Sequence, residues 1–409
     1  MSVADKPDLQ WTNWVGNQSV SPAEIVRAKS EGEIIDTVVR AARAGKRLRV
    51  PGSGHSFTPV VETDGILLDA SGLTGIVATD YDKLTATAWA QTKIADFGAP
   101  LWEAGLSLSN QGDIDAQAIA GAIATATHGS GVAMRNFSAS LVGARMVDGR
   151  GEVHDIDAAA NADILPALQT AIGTLGVMTQ VTVKVAHAYN LHERIVVMHV
   201  DEVLERWHDL IRDYRHFSFF WMTSRDSAKL YNLDAPADHC YVKLYQEFPA
   251  DAPAPELKGH ERFDRAYKIY PMVYDPNFHE MEYFLPLEHA RDYFIAQRKL
   301  MRARPDEAVF PMEVRFCAAD EAWLSPNFKR ANIVISVSGM PGANYWPYLH
   351  RCDDFFRECR GRPHWGKLHF MTAARLADLF PHFADFCRVR KQFDPAGTFL
   401  NPHFRELFA

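Results

Sequence analysis

The sequence predicts an α+β protein of two domains, the second built on an antiparallel sheet. Three observations carry this expectation. Up to about residue 186, short strand patterns alternate with helical ones. Beyond it the chain turns rich in aromatics (Phe217, Phe219, Phe220, Trp221), and strand candidates recur at residues 282–285, 312–316 and 333–338 with helical stretches between them. The chain is also long enough, at 409 residues, for more than one hydrophobic core.

The elements follow in order. Ser30-Glu31-Gly32-Glu33 is a capping-box pattern, and Ile34, Ile35, Val38, Val39 and Ala42 recur at helical spacing until Gly45. A short strand at 48–50 runs into the turn Pro51-Gly52-Ser53-Gly54, and a second strand occupies 66–69. Residues 84–90 alternate with Thr85 and Thr87 on one face, which predicts a strand. Thr92 is placed to cap a helix with Ile94, Phe97 and Leu101 inward and Gly105 at its end, although Pro100 disfavours the second half. Residues 144–147 and 152–156 flank Asp148-Gly149-Arg150-Gly151 as a hairpin. Gly173 to Gly176 leads into the β-branched alternation of 177–185. Near the end, a helix from Pro381 with Phe383, Phe386 and Cys387 inward stops at Asp394-Pro395-Ala396-Gly397.

Composition excludes several function classes. The formal net charge of −8 leaves no Lys/Arg surplus for neutralising phosphates, so nucleic acid is not an expected partner. No apolar run approaches the ~20 residues of a membrane span. Residues 1–14 lack the basic and apolar regions of a signal peptide. Five cysteines with no C-x-x-C pair fit reduced thiols in a cytoplasmic protein. There is no H-E-x-x-H and no clustered cysteine set, so no metal is expected.

Three patterns can carry chemistry. In Pro51-Gly52-Ser53-Gly54-His55-Ser56-Phe57, closely spaced glycines follow a strand and let backbone N–H groups converge on an anion, though a plain tight turn has the same composition. Phe57 occupies the third glycine of the dinucleotide fingerprint, which rules that motif out. The run from Ala120 through Gly121, Thr125, Thr127, His128, Gly129 and Ser130 to Gly131 is built from small side chains that let backbone lie close to an extended ligand, or pack tightly as a structural loop. Glu313 and Arg315 share one face of a strand; they face either solvent or an interior where charge must be paired.

Taken in order, Gly52-Ser53-Gly54-His55-Ser56, Asn110 to Asp115, Ala124 to Gly131, Met281-Glu282-Tyr283, Glu313-Val314-Arg315, His364-Trp365-Gly366-Lys367 and Phe393-Asp394-Pro395 resemble the aldonolactone oxidoreductases and alditol oxidases of the vanillyl-alcohol oxidase flavoprotein superfamily. The resemblance spans essentially the whole chain. It implies an FAD-binding domain at 1–186, a cap domain over the substrate at 187–375, and a segment at 376–409 returning to the first domain. It implies that Gly52, Ser53, Gly54 and Ser56 cradle the FAD pyrophosphate, with Pro51 beside them among the cofactor-binding residues. His55 takes the position often bonded covalently to the flavin. Asp113, Ala120, Gly121, Thr125, Thr127, His128, Gly129, Ser130, Gly176, Val177, His364 and Lys367 would surround the cofactor. Glu313, Arg315, Lys367 and Ser338 would form the catalytic set, oxidising a CH–OH group of a sugar lactone or polyol by hydride transfer to flavin N5, with oxygen or another acceptor reoxidising the flavin.

Two departures from the family pattern bear on the substrate. Ser336 stands where relatives commonly place a His, and Ala118 stands where alditol oxidases have a Ser. Both remove polar groups from the expected sugar side. The alternatives to a lactone enzyme are an alditol or other primary-alcohol oxidase, an NADPH-dependent flavin reductase, and a non-catalytic flavin-binding protein.

Overall fold

The computed structural model describes residues 9–408; residues 1–8, part of the stretch expected to carry no signal peptide, lie outside it. Strands Glu24–Arg27 and Leu48–Arg49 flank Ile66–Asp69 in a small parallel sheet. An antiparallel sheet follows in which Leu141–Val147 and Val177–His187 are central. After a one-residue break at Ala188, strand Tyr189–His199 opens an eight-stranded antiparallel sheet.

Local chemistry explains most of the elements. Helix Glu31–Arg43 starts where expected, with the Ser30 hydroxyl accepting the Glu33 N–H at 3.2 Å; the Glu33 carboxylate reaches back to the Lys29 N–H. Gly45 ends it at φ +60°, a conformation that favours glycine. The hairpin pairs Val153 with Val147. Thr92 does not cap the next helix. Its hydroxyl is taken by Trp89 O and Gly75 N, and a 3₁₀ turn Ile94–Phe97 runs into helix Gly98–Glu103 instead. Pro100 sits in the first turn of that helix, where a missing N–H costs nothing. The small-residue run opens as a helix, Ile119–Ala124, before becoming a loop. In helix Phe383–Phe393 the buried face is Phe386, Val389, Arg390 and Phe393, with Phe383 and Cys387 only half-buried.

In the large sheet, period-2 alternation separates an apolar face from a polar one. Phe219, Trp221, Val314, Phe316, Met281, Tyr283, Ile333, Ile335 and Val337 face helices Ala290–Arg302 and Trp346–Glu358 in the main core. The other face carries a cross-strand row: Phe220 pairs with Glu313, Glu313 with Ser336, and Ser336 with Glu282. Glu280 and Ser338 form the next pair, and Arg315 lies two residues beyond Glu313. Polar residues spaced two apart on adjacent strands are therefore gathered into one patch by register alone.

The chain end returns to the first sheet system. Leu48 N donates to Thr398 O at 2.8 Å, Gly149 N to Phe393 O at 2.9 Å and Asn401 Nδ2 to Pro59 O at 2.7 Å. Arg49 ties this junction: its buried guanidinium donates to the carbonyls of Val60, Ile172, Gly173 and Phe399 and lies 4.9 Å over the Phe404 ring. Arg49→Met would leave four carbonyls without their donor, at a cost of roughly 3 kcal/mol or more. A lower apparent melting temperature and faster proteolytic release of the C-terminal segment are expected; an unchanged melt would contradict this role.

Candidate active site

The strand Leu48–Arg49 delivers the glycine-rich turn to the mouth of a cleft of roughly 1040 Å³, which runs between Gly52, Ser53, Gly54 and Ser56 on one side and Ala120, Gly121, Thr125, Gly176 and Val177 on the other. Small residues are required here by distance. A Cβ on Gly176 would sit 2.5 Å from Val147 O, and Gly54 has φ +73° with the Trp11 ring 3.1 Å from where its Cβ would be. Gly52 opens on the helix Ile119–Ala124, with Gly121 Cα 3.9 Å from the position of an added Cβ.

The cleft continues into an inner chamber of roughly 740 Å³, and His55, Ser56, Gln117 and Thr125 line both. The loop carrying His55 is bolted to the turn carrying Lys367: Phe57 N donates to Gly366 O at 2.7 Å and the Thr58 hydroxyl to Trp365 O at 3.0 Å. His55 stacks on Trp14 at 5.2 Å, and its buried Nδ1 has no hydrogen-bond partner. Burial first, then the positive charges of Lys367 and Lys93, lower its pKa to about 4, so the ring is neutral at neutral pH.

The polar sheet face forms the chamber floor. Arg315 donates to Glu313 Oε1 at 2.7 Å through Nε and to Asp113 Oδ2 at 2.7 Å through Nη2. Lys367 pairs with Glu280 and lies 5.1 Å over the Phe57 ring. His128 Nε2 is 3.0 Å from Glu282 Oε1, and the Ser336 hydroxyl donates to Glu282 Oε2 at 2.6 Å. Aromatic rings of Trp14, Phe57, Phe220, Tyr231, Tyr274 and Phe278 make the remaining wall.

Burial and charge divide the carboxyls by role. Burial raises the Glu313 pKa to about 7 despite Arg315, with Asp113 and Glu280 adding to the rise. Burial also opposes ionisation of Glu282, but His128 and Lys367 outweigh it and hold that carboxyl well below the usual range. Arg315 is likewise penalised by burial and kept charged by Asp113 and Glu313. The chamber thus holds carboxylates committed to ion pairs beside one carboxyl poised to exchange a proton near neutrality.

The expected residues fall into three groups. Gly52, Ser53, Gly54, His55, Ser56, Ala120, Gly121, Thr125, Gly176 and Val177 line the cleft, and Thr127, His128, His364, Glu313, Arg315 and Lys367 line the chamber. Pro51, Gly129 and Ser130 reach neither. The Pro51 carbonyl accepts from Gln91 Nε2 at 3.3 Å; Gly129 lies too close to Gln111 O to admit a Cβ; and Ser130 is consumed by Phe217 O, Phe316 N and Tyr270, pinning its loop to the large sheet. Asp113, expected among the cofactor contacts, also lines the chamber, where it pairs with Arg315 and Lys243. Ser338 is buried and touches the chamber only through Tyr231, at 3.0 Å between hydroxyls. Glu280, Lys243 and Tyr274 were not foreseen; period-2 spacing from Glu282 would have marked Glu280, whereas Lys243 and Tyr274 carry no local signal.

Comparison with known proteins adds to this geometry. A family profile described as D-arabinono-1,4-lactone oxidase matches residues 181–240 and 239–407, and one described as an FAD binding domain matches residues 22–157. An L-gulono-1,4-lactone dehydrogenase of Mycobacterium tuberculosis is 33% identical over 97% of this chain and 98% of its own. The chain belongs to the D-arabinono-1,4-lactone oxidase family. It is an FAD-dependent oxidoreductase acting on CH–OH donors. Mouse L-gulonolactone oxidase is 25% identical over 98% of each chain, and a Streptomyces alditol oxidase 26% identical over 97% and 98%. Among solved structures, a cholesterol oxidase from B. sterolicum superposes with a TM-score of 0.83 at 14% identity, covering 100% of this chain and 99% of that one, which shows the shared fold. The cleft fits FAD in its own terms: glycine backbone open to an extended diphosphate, and an unpartnered, neutral His55 nitrogen where cleft meets chamber. Among the described residues, no helix is long and apolar enough to cross a membrane.

Proposed function

We propose that this family member oxidises a carbinol of a sugar-derived lactone, with Arg315, Lys367 and Glu313 as its catalytic residues and oxygen or another acceptor taking the electrons onward. The observation that carries the reading is the convergence of Glu313, Arg315 and Lys367 on one chamber that opens at His55 onto the cleft. Bound FAD supplies the two-electron acceptor for the hydride.

Gly52, Ser53, Gly54 and Ser56 would hold the pyrophosphate through backbone N–H and hydroxyl groups, with Gly176 and Val177 toward the adenine end. The neutral imidazole of His55 has a lone pair available for a covalent bond to the flavin. When the carbinol C–H leaves with its electron pair, the O–H proton must also leave, and negative charge builds on the substrate oxygen. Arg315, rigidly braced by Glu313 and Asp113, is placed to stabilise that oxygen. Glu313 as carboxylate accepts the proton. Lys367, steered by Glu280, supplies a second fixed cation toward the cleft side. The aromatic wall suits the apolar face of a sugar ring, while the ionic floor suits its hydroxyls.

Anaerobic mixing of the flavin-loaded protein with a panel of aldonolactones, alditols and aromatic alcohols tests the reading. Bleaching by lactones is expected first, with a rate that falls as pH drops through about 7, because protonated Glu313 cannot accept a proton. Bleaching by NADPH and by no alcohol would overturn it. Acid-precipitated wild-type protein is expected to stay yellow and His55→Ala to lose its colour; full release of flavin from the wild type would refute the covalent bond.

A further inference from the structure

Both ring nitrogens of His128 face acceptors. Nδ1 lies 2.7 Å from the carbonyl oxygen of Gly129, an atom with no proton to give, so Nδ1 carries a hydrogen. Nε2 lies 3.0 Å from Glu282 Oε1, and the other carboxylate oxygen already accepts the Ser336 hydroxyl. A neutral ring would therefore aim a lone pair at a carboxylate oxygen. Something positive must lie between them: a second proton or a metal ion.

The metal alternative has some geometric support, since ligating atoms of His128, Glu282 and His364 lie within 4.8 Å of one another and all three residues are buried. The hydrogen bonding argues against it. His364 Nδ1 accepts the Gly366 N–H at 3.0 Å, so the neutral ring carries its proton on Nε2 and has no free lone pair for an ion. Burial above all keeps that ring neutral, at a pKa of about 3. Two ligands remain, too few for a closed site.

We propose that Glu282 holds His128 as an imidazolium ion, so that His128 is a third fixed cation of the chamber beside Arg315 and Lys367 and Glu282 is a positioning residue acting through it. Its consequence for the reaction rests on the functional reading above; the ion pair itself rests on geometry alone. Each chamber cation then has its own carboxylate: Arg315 with Asp113, Lys367 with Glu280, His128 with Glu282. The other groups facing His128 are the edge-on Phe284 ring at 4.9 Å and the neutral His364 ring at 5.9 Å, and Arg315 Nη1 reaches its backbone oxygen at 3.5 Å. None of these offers a competing acceptor for the Nε2 proton. Ser336 completes the arrangement by orienting the carboxylate from the neighbouring strand.

The test uses the flavin-loaded protein labelled with ¹⁵N-histidine, the His128 signals being assigned by their loss in His128→Asn. Two protonated ring nitrogens are expected at neutral pH in the wild type, and one in Glu282→Gln. In the same variant the midpoint potential of bound flavin is expected to move to more negative values. Its reduction by alcohol should slow by roughly 10- to 100-fold at saturating substrate with little change in apparent affinity. Glu282→Asp should restore part of each signal. A single protonated nitrogen in the wild type, or stoichiometric metal lost from Glu282→Gln, would overturn the ion pair. A wild-type potential in a Glu282→Gln protein that has lost the imidazolium would overturn the positioning role. If no alcohol reduces the flavin, the nitrogen spectra and the potential still decide the proposal, separately from the substrate reading.

Discussion

Asp113 is the constraint on which the site depends. It comes from the loop before helix Ile119–Ala124, is 4% exposed, and takes two cations from the large sheet, Arg315 at 2.7 Å and Lys243 at 3.2 Å, as well as the Tyr274 hydroxyl at 3.1 Å. Burial alone would drive its carboxyl to protonate, but Arg315 and Lys243 reverse that, and the pKa is lowered. A buried charge left without its partner costs about 3–5 kcal/mol, so the arrangement forms whole or not at all. Because its members come from a loop beside the first sheet system and from the large sheet, packing the two against each other and assembling the polar floor are one event.

What Asp113 holds is then sorted by register. Four adjacent strands place Phe220, Glu313, Ser336 and Glu282 in a single row, and the next positions along add Arg315, Glu280 and Ser338. The opposite side of the same strands is apolar and sealed by two helices, so a one-residue slip would exchange core for charge. Lys367 lies outside these strands, and its turn is fixed by the hydrogen bonds that join it to the His55 loop. The His55 loop is thus joined to the turn of Lys367 through Phe57 and Gly366, while Asp113 joins its own loop to the strand of Arg315.

Much of this was legible in the sequence where the signal is local. The capping box at Ser30, the glycine turn after Leu48–Arg49, and the shared face of Glu313 and Arg315 each follow from spacing, and the ordered motifs pointed to the family. The misreadings have physical causes. Thr92 had the chemistry of a cap, but its hydroxyl was claimed by Gly75 and Trp89. Ser130 was expected beside the cofactor from the resemblance; its hydroxyl instead secures the loop to the large sheet. The ion pairs of Asp113 had no signal in the sequence. Its partners, Lys243 and Arg315, stand 130 and 202 residues away, a distance that no local pattern spans.

The role proposed for Asp113 is to hold the guanidinium of Arg315 in place over the chamber floor. The most direct measurement compares flavin content and the anaerobic flavin-reduction rate in Asp113→Asn and wild-type protein, using the alcohol that bleaches the wild type fastest. The account expects full flavin content with reduction slowed by on the order of 100-fold, the scale for losing one preorganised charge contact. Asp113→Asn protein that reduces its flavin at the wild-type rate, or that fails to retain flavin while still folding, would contradict it.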